Sequence, residues 1–185
     1  EVYAPKPLGV QSVLIIGKNI IQVGKIDIEA LKRLELDLDL IDASGCLLMP
    51  GIIDPHQHYL GGSGEHGFAT QTPEITLQEN IEGGITTSVG CLGADSFTRT
   101  MHGLLGRARV FNEEGLTSFI YTGGYQVPPS TLTGSVKSDM ILIPEVIGAG
   151  EVAIADIRGS HPSTRELARI SNEAYVGGIL TRKAG

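Results

Sequence analysis

Two histidines, His56 and His58, stand one residue apart in the stretch MPGIIDPHQHYLGGSGEHG, residues 49–67. The stretch begins apolar and runs into a glycine-rich loop that carries one glutamate, Glu65. In an extended strand residues i and i+2 project from the same face, so the two imidazoles point together. Two ring nitrogens held that way can share one divalent cation. The plainer alternative is a pair of hydrogen-bonded histidines at a strand end. A rival chemistry is also spelled here, because Gly62-Ser63-Gly64-Glu65-His66-Gly67 matches G-x-G-x-x-G. That fingerprint needs a helix opening at its third glycine, with the helix N-terminus on a pyrophosphate. Here Phe68 to Thr72 intervene before a helix expected from Pro73, and Glu65 would repel a phosphate. The metal reading is the one kept.

The elements that must position this pair follow from the pattern of apolar runs. Short strands are expected at Ile52–His58, Ile85–Cys91, Thr117–Thr122 and Glu151–Asp156, starting 33, 32 and 34 residues apart. That is the length of one βα unit, repeated. Helices are expected between them. The first has Thr72 as N-cap, Pro73 at the first helical position and Gly83-Gly84 as its stop; the second ends at Gly115; the last opens on the capping box Ser163-x-x-Glu166. The tail YVGGILTRKAG reads as the start of a further strand. Before Pro50 the chain reads as β-rich: VQSVLIIGKNIIQVGKI is a hairpin about Gly17-Lys18-Asn19, and LDLDLIDASGCLLMPG adds apolar alternation. These strands are too few for a sandwich, so other chain is expected to complete them. Four βα units suit an open doubly wound sheet or half of a (β/α)8 barrel, and a full barrel takes about 250 residues. The 185 residues therefore read as a fragment.

Composition narrows the function classes. Lys and Arg number 14 against 21 Asp and Glu, a net charge of -7, which argues against a nucleic-acid surface. Runs such as VLII and CLLMPGII are far too short to span a membrane. Cys46 and Cys91 show neither CxxC nor any ligand spacing, and buried free thiols in the cytoplasm are the default expectation.

At GIIDPHQHYLGGSGE the chain resembles the first metal-binding motif of the amidohydrolase superfamily of metal-dependent hydrolases. The longer match is similar to isoaspartyl (β-aspartyl) dipeptidases. It runs through TPEITL, GITTSVGCLGADSFTR, NEEGLTSFIYTGGYQVPPSTLTGSV, VIGAGEVAIADIRGSHPS and VGGIL. The resemblance implies an α/β fold: the N-terminal portion of a (β/α)8 TIM barrel at residues 50–185, preceded by part of a small β-sandwich at residues 1–49. It implies hydrolysis of dipeptides in which aspartate is linked through its side-chain carboxyl, by a metal-activated water. It also implies a divalent metal, two zinc ions in the complete enzyme, and a homo-oligomer whose order the sequence does not fix.

Residue by residue, the resemblance makes His56 and His58 first-strand ligands of one metal. It makes Glu65 the carboxylate that meets the substrate's free amino group and Tyr125 the phenol that polarises the scissile carbonyl. Arg158 becomes the guanidinium that holds a substrate carboxylate, and Ser63 falls where the glycine loop contacts substrate. Each has a milder reading: Tyr125 packing at a loop base, Glu65 in solvent, Arg158 paired with Asp156. Many relatives carry a carbamylated lysine at the end of the fourth strand; the matching position here is Glu151. A glutamate keeps the carboxylate with a shorter reach, and an insertion around Ala149-Gly150 is expected to bring it inward. Ala94 stands where a hydroxyl-bearing residue in relatives can touch substrate. Two further histidines and a proton-shuttling aspartate of the family have no match here, and His66, His102 and His161 stay unassigned. The 185 residues alone are therefore expected not to turn over substrate. Rival functions are an N-acetylamino-sugar deacetylase or N-acyl amino acid deacylase of the same superfamily, and a non-catalytic barrel homologue serving as an assembly subunit.

Overall fold

A computed structural model describes residues 1–62 and 64–183. The chain divides into two compact units, Glu1–Pro50 and Gly51–Gly185. The first holds two antiparallel pairs, β1 (Val2–Tyr3) with β2 (Pro7–Gly9) and β3 (Ser12–Ile16) with β4 (Asn19–Gly24). The second pair is the expected hairpin, turning at Gly17-Lys18. Its branched residues Ile15, Ile16, Ile20 and Ile21 are all exposed. Helix α1 (Ile28–Lys32) follows, with the Asp27 side chain accepting from the Ala30 amide, inside a region expected to be β-rich. The LDLDL alternation forms no strand; Leu36, Leu40 and Ile41 are exposed. A strand needs a hydrogen-bonded neighbour, and the described residues supply one only at Leu48, which bridges to Val2.

The second unit is built on a parallel sheet in the order β5 (Ile52–Gln57), β6 (Ile85–Gly90), β7 (Thr117–Thr122), β8 (Val146–Ala149). Sequential order means that no strand crosses back, unlike the reversal of a doubly wound sheet. Along β7, Ser118, Ile120 and Thr122 are buried while Phe119 and Tyr121 are only half buried. The core lies on the buried side, where Ile120 and Val146 meet Leu104, Ala108 and Phe111 of α3 (Met101–Glu113) and Met140 of α4 (Val136–Leu142).

Three expected boundaries shift. Helix α2 (Leu77–Glu82) starts at the capping box Thr76–Glu79, not at Thr72 and Pro73. The Thr72 hydroxyl is taken by the Gly62 backbone instead, accepting from its amide at 2.7 Å. The fourth strand is Val146–Ala149 rather than Glu151–Asp156, so Glu151 lies past the strand end. Helix α4 ends just before Ile143-Pro144. The short connection from there delivers the first apolar run, Val146 onwards, to β7, with Val146 opposite Ile120.

The third shift is YVGGIL, which lies inside helix α5 (Thr164–Thr181) and is no strand. Ser163 and Glu166 form the expected capping box at its start. The glycines let α5 approach α4: a Cβ built at Gly177 would sit 3.0 Å from Met140 Cβ and Sδ. Gly177→Leu should therefore destabilise the unit by about 1–3 kcal/mol through overpacking. Urea unfolding measures the loss, and an unchanged midpoint would mean that the helices are free to move apart. Among the described residues no helix is long and apolar enough to cross a membrane.

Candidate metal centre

His56 lies near the C-terminal end of β5 and His58 just past it. On the same strand the Asp54 carboxylate accepts from the His56 amide at 3.1 Å and the Gln57 side chain at 3.2 Å. The two rings are 5.4 Å apart, inclined at 60°. Both face Glu151, which follows β8: Nε2 of His56 is 3.1 Å and Nε2 of His58 3.6 Å from the same oxygen, Oε2. The group at the strand ends is completed by Cys91, the residue after β6, whose Sγ lies 3.6 Å from Glu151 Oε2. Ligating atoms of His56, His58, Cys91 and Glu151 all fall within 4.8 Å of one another. Two imidazole nitrogens, a carboxylate oxygen and a sulfur form a donor set suited to zinc and its borderline neighbours.

Backbone geometry seats these side chains. Gly93 has φ +70°, and a Cβ there would meet His58 Cε1 at 2.5 Å, so the loop after β6 lies flat against that imidazole. Gly93→Ala combines a strained φ with a collision against His58. It should lower metal affinity at least about tenfold, the low end of what outer-shell disturbance costs. Competition with a chromophoric chelator reads the change, and equal affinity would show that His58 has room to retreat. Behind the site, burial first and the negative charge of Glu151 second push the Cys91 thiol up, so without a cation it stays protonated. A cleft of about 340 Å³ opens beside the pair, lined by Asp54, Gly61, Gly62, Thr72 and both histidines.

The other candidate residues form a second cluster. Arg158 forms an ion pair with Glu65 and binds Asp156 through two contacts, Nε to Oδ1 at 2.9 Å and Nη2 to Oδ2 at 2.8 Å. Its guanidinium also lies 5.2 Å from the centre of the Tyr125 ring and 3.4 Å from the phenol oxygen. The hydrogen bonds from Arg158 hold the Asp156 carboxyl down to about 2. Burial, and next the charge of Glu151, push the Tyr125 phenol up, which keeps it a proton donor at neutral pH. Ser63 lies outside the described residues.

The loops that carry these groups are fastened in place. Buried Arg99 donates to the carbonyls of Leu60 at 2.8 Å and Gly62 at 3.2 Å, holding the base of the glycine loop. Asp139, fully buried, accepts from the Thr122 hydroxyl and from the Leu132 and Thr133 amides, which pins the loop after β7. Gly67 opens only the short 3-10 turn Phe68–Thr70, and the next α-helix starts at Leu77.

Cys91 is a site residue that cysteine-to-cysteine spacing does not reveal; its signal is its place at the end of the strand next to the histidine strand. After a register shift between Asp54 and Gln57, the pairing of β5 with β6 sets Gln57 opposite Gly90, and Cys91 follows with its amide on the Gln57 carbonyl. Cys46, expected to be buried, is exposed.

Such a constellation at the C-terminal edge of a parallel sheet defines an α/β protein with a candidate metal centre. Comparison with solved structures gives the particular likeness. The chain is similar over its whole length to β-aspartyl dipeptidase from the thermophilic, keratin-degrading Fervidobacterium islandicum AW-1. It is 46% identical to that protein, with a TM-score of 0.93 to its complex with a β-Asp-Leu dipeptide and 0.94 to a second crystal structure. The chain spans 47% and 49% of those two chains, about half their length. Over 92 residues, 48% of this chain and 22% of the relative, it is 30% identical to imidazolonepropionase from Colwellia psychrerythraea (strain 34H / ATCC BAA-681). No protein-family model matches the chain. The likeness to β-aspartyl dipeptidases thus holds along the chain and not only at the quoted motifs.

Proposed function

We propose that this chain is the metal-holding portion of a hydrolase that cleaves β-aspartyl dipeptides. The observation that carries the reading is the convergence of His56, His58 and Glu151 beside the Arg158–Glu65 pair, in a chain 46% identical to a β-aspartyl dipeptidase. On this reading residues 50–185 are the first half of a (β/α)8 barrel and residues 1–49 part of a β-sandwich. The sequential parallel order supports the first, and the half-open sheet face carrying Phe119 and Tyr121 suits the interior of a barrel closed by further strands. The uncovered isoleucines of the β3–β4 hairpin suit a sandwich face awaiting its partner.

His56, His58 and Glu151 would hold a divalent cation, zinc by its donor set, and the whole enzyme would take two such ions. Such a cation supplies Lewis-acid activation of water at neutral pH. The remaining roles belong to side chains. Arg158 and Glu65 satisfy each other here, and a zwitterionic dipeptide would replace that contact, its ammonium meeting Glu65 and its carboxylate meeting the Arg158 guanidinium. Tyr125, protonated at neutral pH, donates to the scissile carbonyl oxygen, where the hydrogen bond strengthens as negative charge develops. The protein acts in the cytoplasm, as a homo-oligomer.

The test is hydrolysis of a β-aspartyl dipeptide by the whole protein, including any chain beyond Gly185, beside the same dipeptide acetylated on its amine. Acetylation should lower kcat/KM about 10–100-fold, the loss of one charge-assisted hydrogen bond. Preferential release of acetate from N-acetylated sugars or amino acids would move the reading to a deacetylase or deacylase. No turnover of any of these by metal-loaded protein would leave the non-catalytic homologue.

A further inference from the structure

We propose that Cys91 is itself a ligand, its thiolate joining His56, His58 and Glu151 on one divalent cation. The inference rests on the metal-site reading above and adds a donor to it. A cysteine kept for packing has its sulfur among apolar groups. The Cys91 sulfur instead has four polar atoms near it: Glu151 Oε2 at 3.6 Å, the His58 ring nitrogens at 3.9 and 4.0 Å, and the Gln57 carbonyl at 3.7 Å. Donor atoms around one tetrahedral zinc, with bonds of about 2.0–2.3 Å, lie roughly 3.3–3.7 Å apart. The spacings around Glu151 Oε2, from 3.1 Å to His56 to 3.6 Å to both His58 and Cys91, fall in or beside that range.

Position and charge agree with this. The Cys91 amide donates to the Gln57 carbonyl at 3.0 Å, which locks the residue beside the end of the histidine strand. Its side chain is 1% exposed, and it has no disulfide partner among the described residues. One carboxylate and one thiolate neutralise a dication, while two neutral imidazoles complete the shell. On coordination the thiol proton leaves to solvent, and the sulfur–metal bond replaces the sulfur–hydrogen bond.

X-ray absorption of the zinc-loaded whole protein tests this without any substitution. Ligation by Cys91 requires a sulfur shell at about 2.3 Å beside nitrogen and oxygen at about 2.0–2.1 Å. Cobalt(II) replacing zinc should show a near-ultraviolet sulfur-to-cobalt charge-transfer band together with visible ligand-field bands. Cys91→Ser should abolish the charge-transfer band, keep the visible bands, and weaken metal affinity by at least about tenfold. Cobalt bound with visible bands but no sulfur band, or a sulfur band that survives in Cys91→Ser, would overturn the role of Cys91 and leave the metal site standing. Failure of the unsubstituted protein to bind cobalt or zinc would overturn both readings.

Discussion

Glu151→Gln should empty the candidate centre. The substitution keeps size and shape but removes the negative charge from the oxygen on which His56 and His58 converge, 3.1 and 3.6 Å away. Disturbing groups that merely orient ligands costs about 10–100-fold in metal affinity. Loss of a charged ligand should therefore exceed a hundredfold. Metal analysis after dialysis against a weak chelator should find little zinc in Glu151→Gln and a full complement in the unsubstituted protein. Hydrolysis should fall with the metal and return only partly when zinc is in excess. A Glu151→Gln protein that keeps its full metal content would mean that the histidines hold the cation with other ligands, and that Glu151 merely faces them.

The second large effect is expected at Arg158. Arg158→Met leaves Glu65 and Asp156 facing one another without their cation, and deprives a substrate carboxylate of its fork. Arg158 is about two-fifths exposed, so solvent screens its pairs in part. Loss of the guanidinium should still lower kcat/KM by about tenfold or more. The loss should fall mainly on KM, with metal content unchanged, which separates it from the loss at Glu151. Arg158→Lys should recover little, since an ammonium cannot reproduce the two contacts to Asp156.

Acid should spare the Asp156–Arg158 pair. The Asp156 carboxyl is held at about 2, below its ordinary value, so its pairing with Arg158 is present at neutral pH and is lost only as the pH falls through about 2. Any decline in substrate grip between pH 6 and 4 must come from other groups. A pH profile of KM in which Asp156→Asn abolished such a decline would contradict this.

What could be read from the chain is what depends on local pattern. The hairpin at Gly17-Lys18, the strands starting at Ile52, Ile85 and Thr117, and the Ser163–Glu166 cap each rest on neighbours within a few residues. The misread elements are those decided across the structure. YVGGIL carries strand-like residues, but Gly177 belongs to a helix because Met140 lies against it. Two apolar runs compete for the fourth strand, and the short path from α4 selects the earlier one. The convergence of Glu151 with the histidines is implied by the resemblance, at the position of a carbamylated lysine, whereas Cys91 is not, because it needs the pairing of β5 with β6. Likewise, Arg99 and Asp139 look like ordinary surface charges until the carbonyls and amides they bind are known.

The loops at this end of the sheet are laced to one another. Tyr125 N donates to the Gly93 carbonyl, Ala153 N to the Tyr125 carbonyl, Val127 N to the Ser160 hydroxyl, and the Gln126 side chain to the Arg158 carbonyl. Loops that share bonds in this way cannot open singly, since freeing one strands the donors of the next. Their amide protons should therefore exchange with deuterium as one cooperative group, at a common opening free energy. A ligand that fastens any one loop should slow exchange in all of them together.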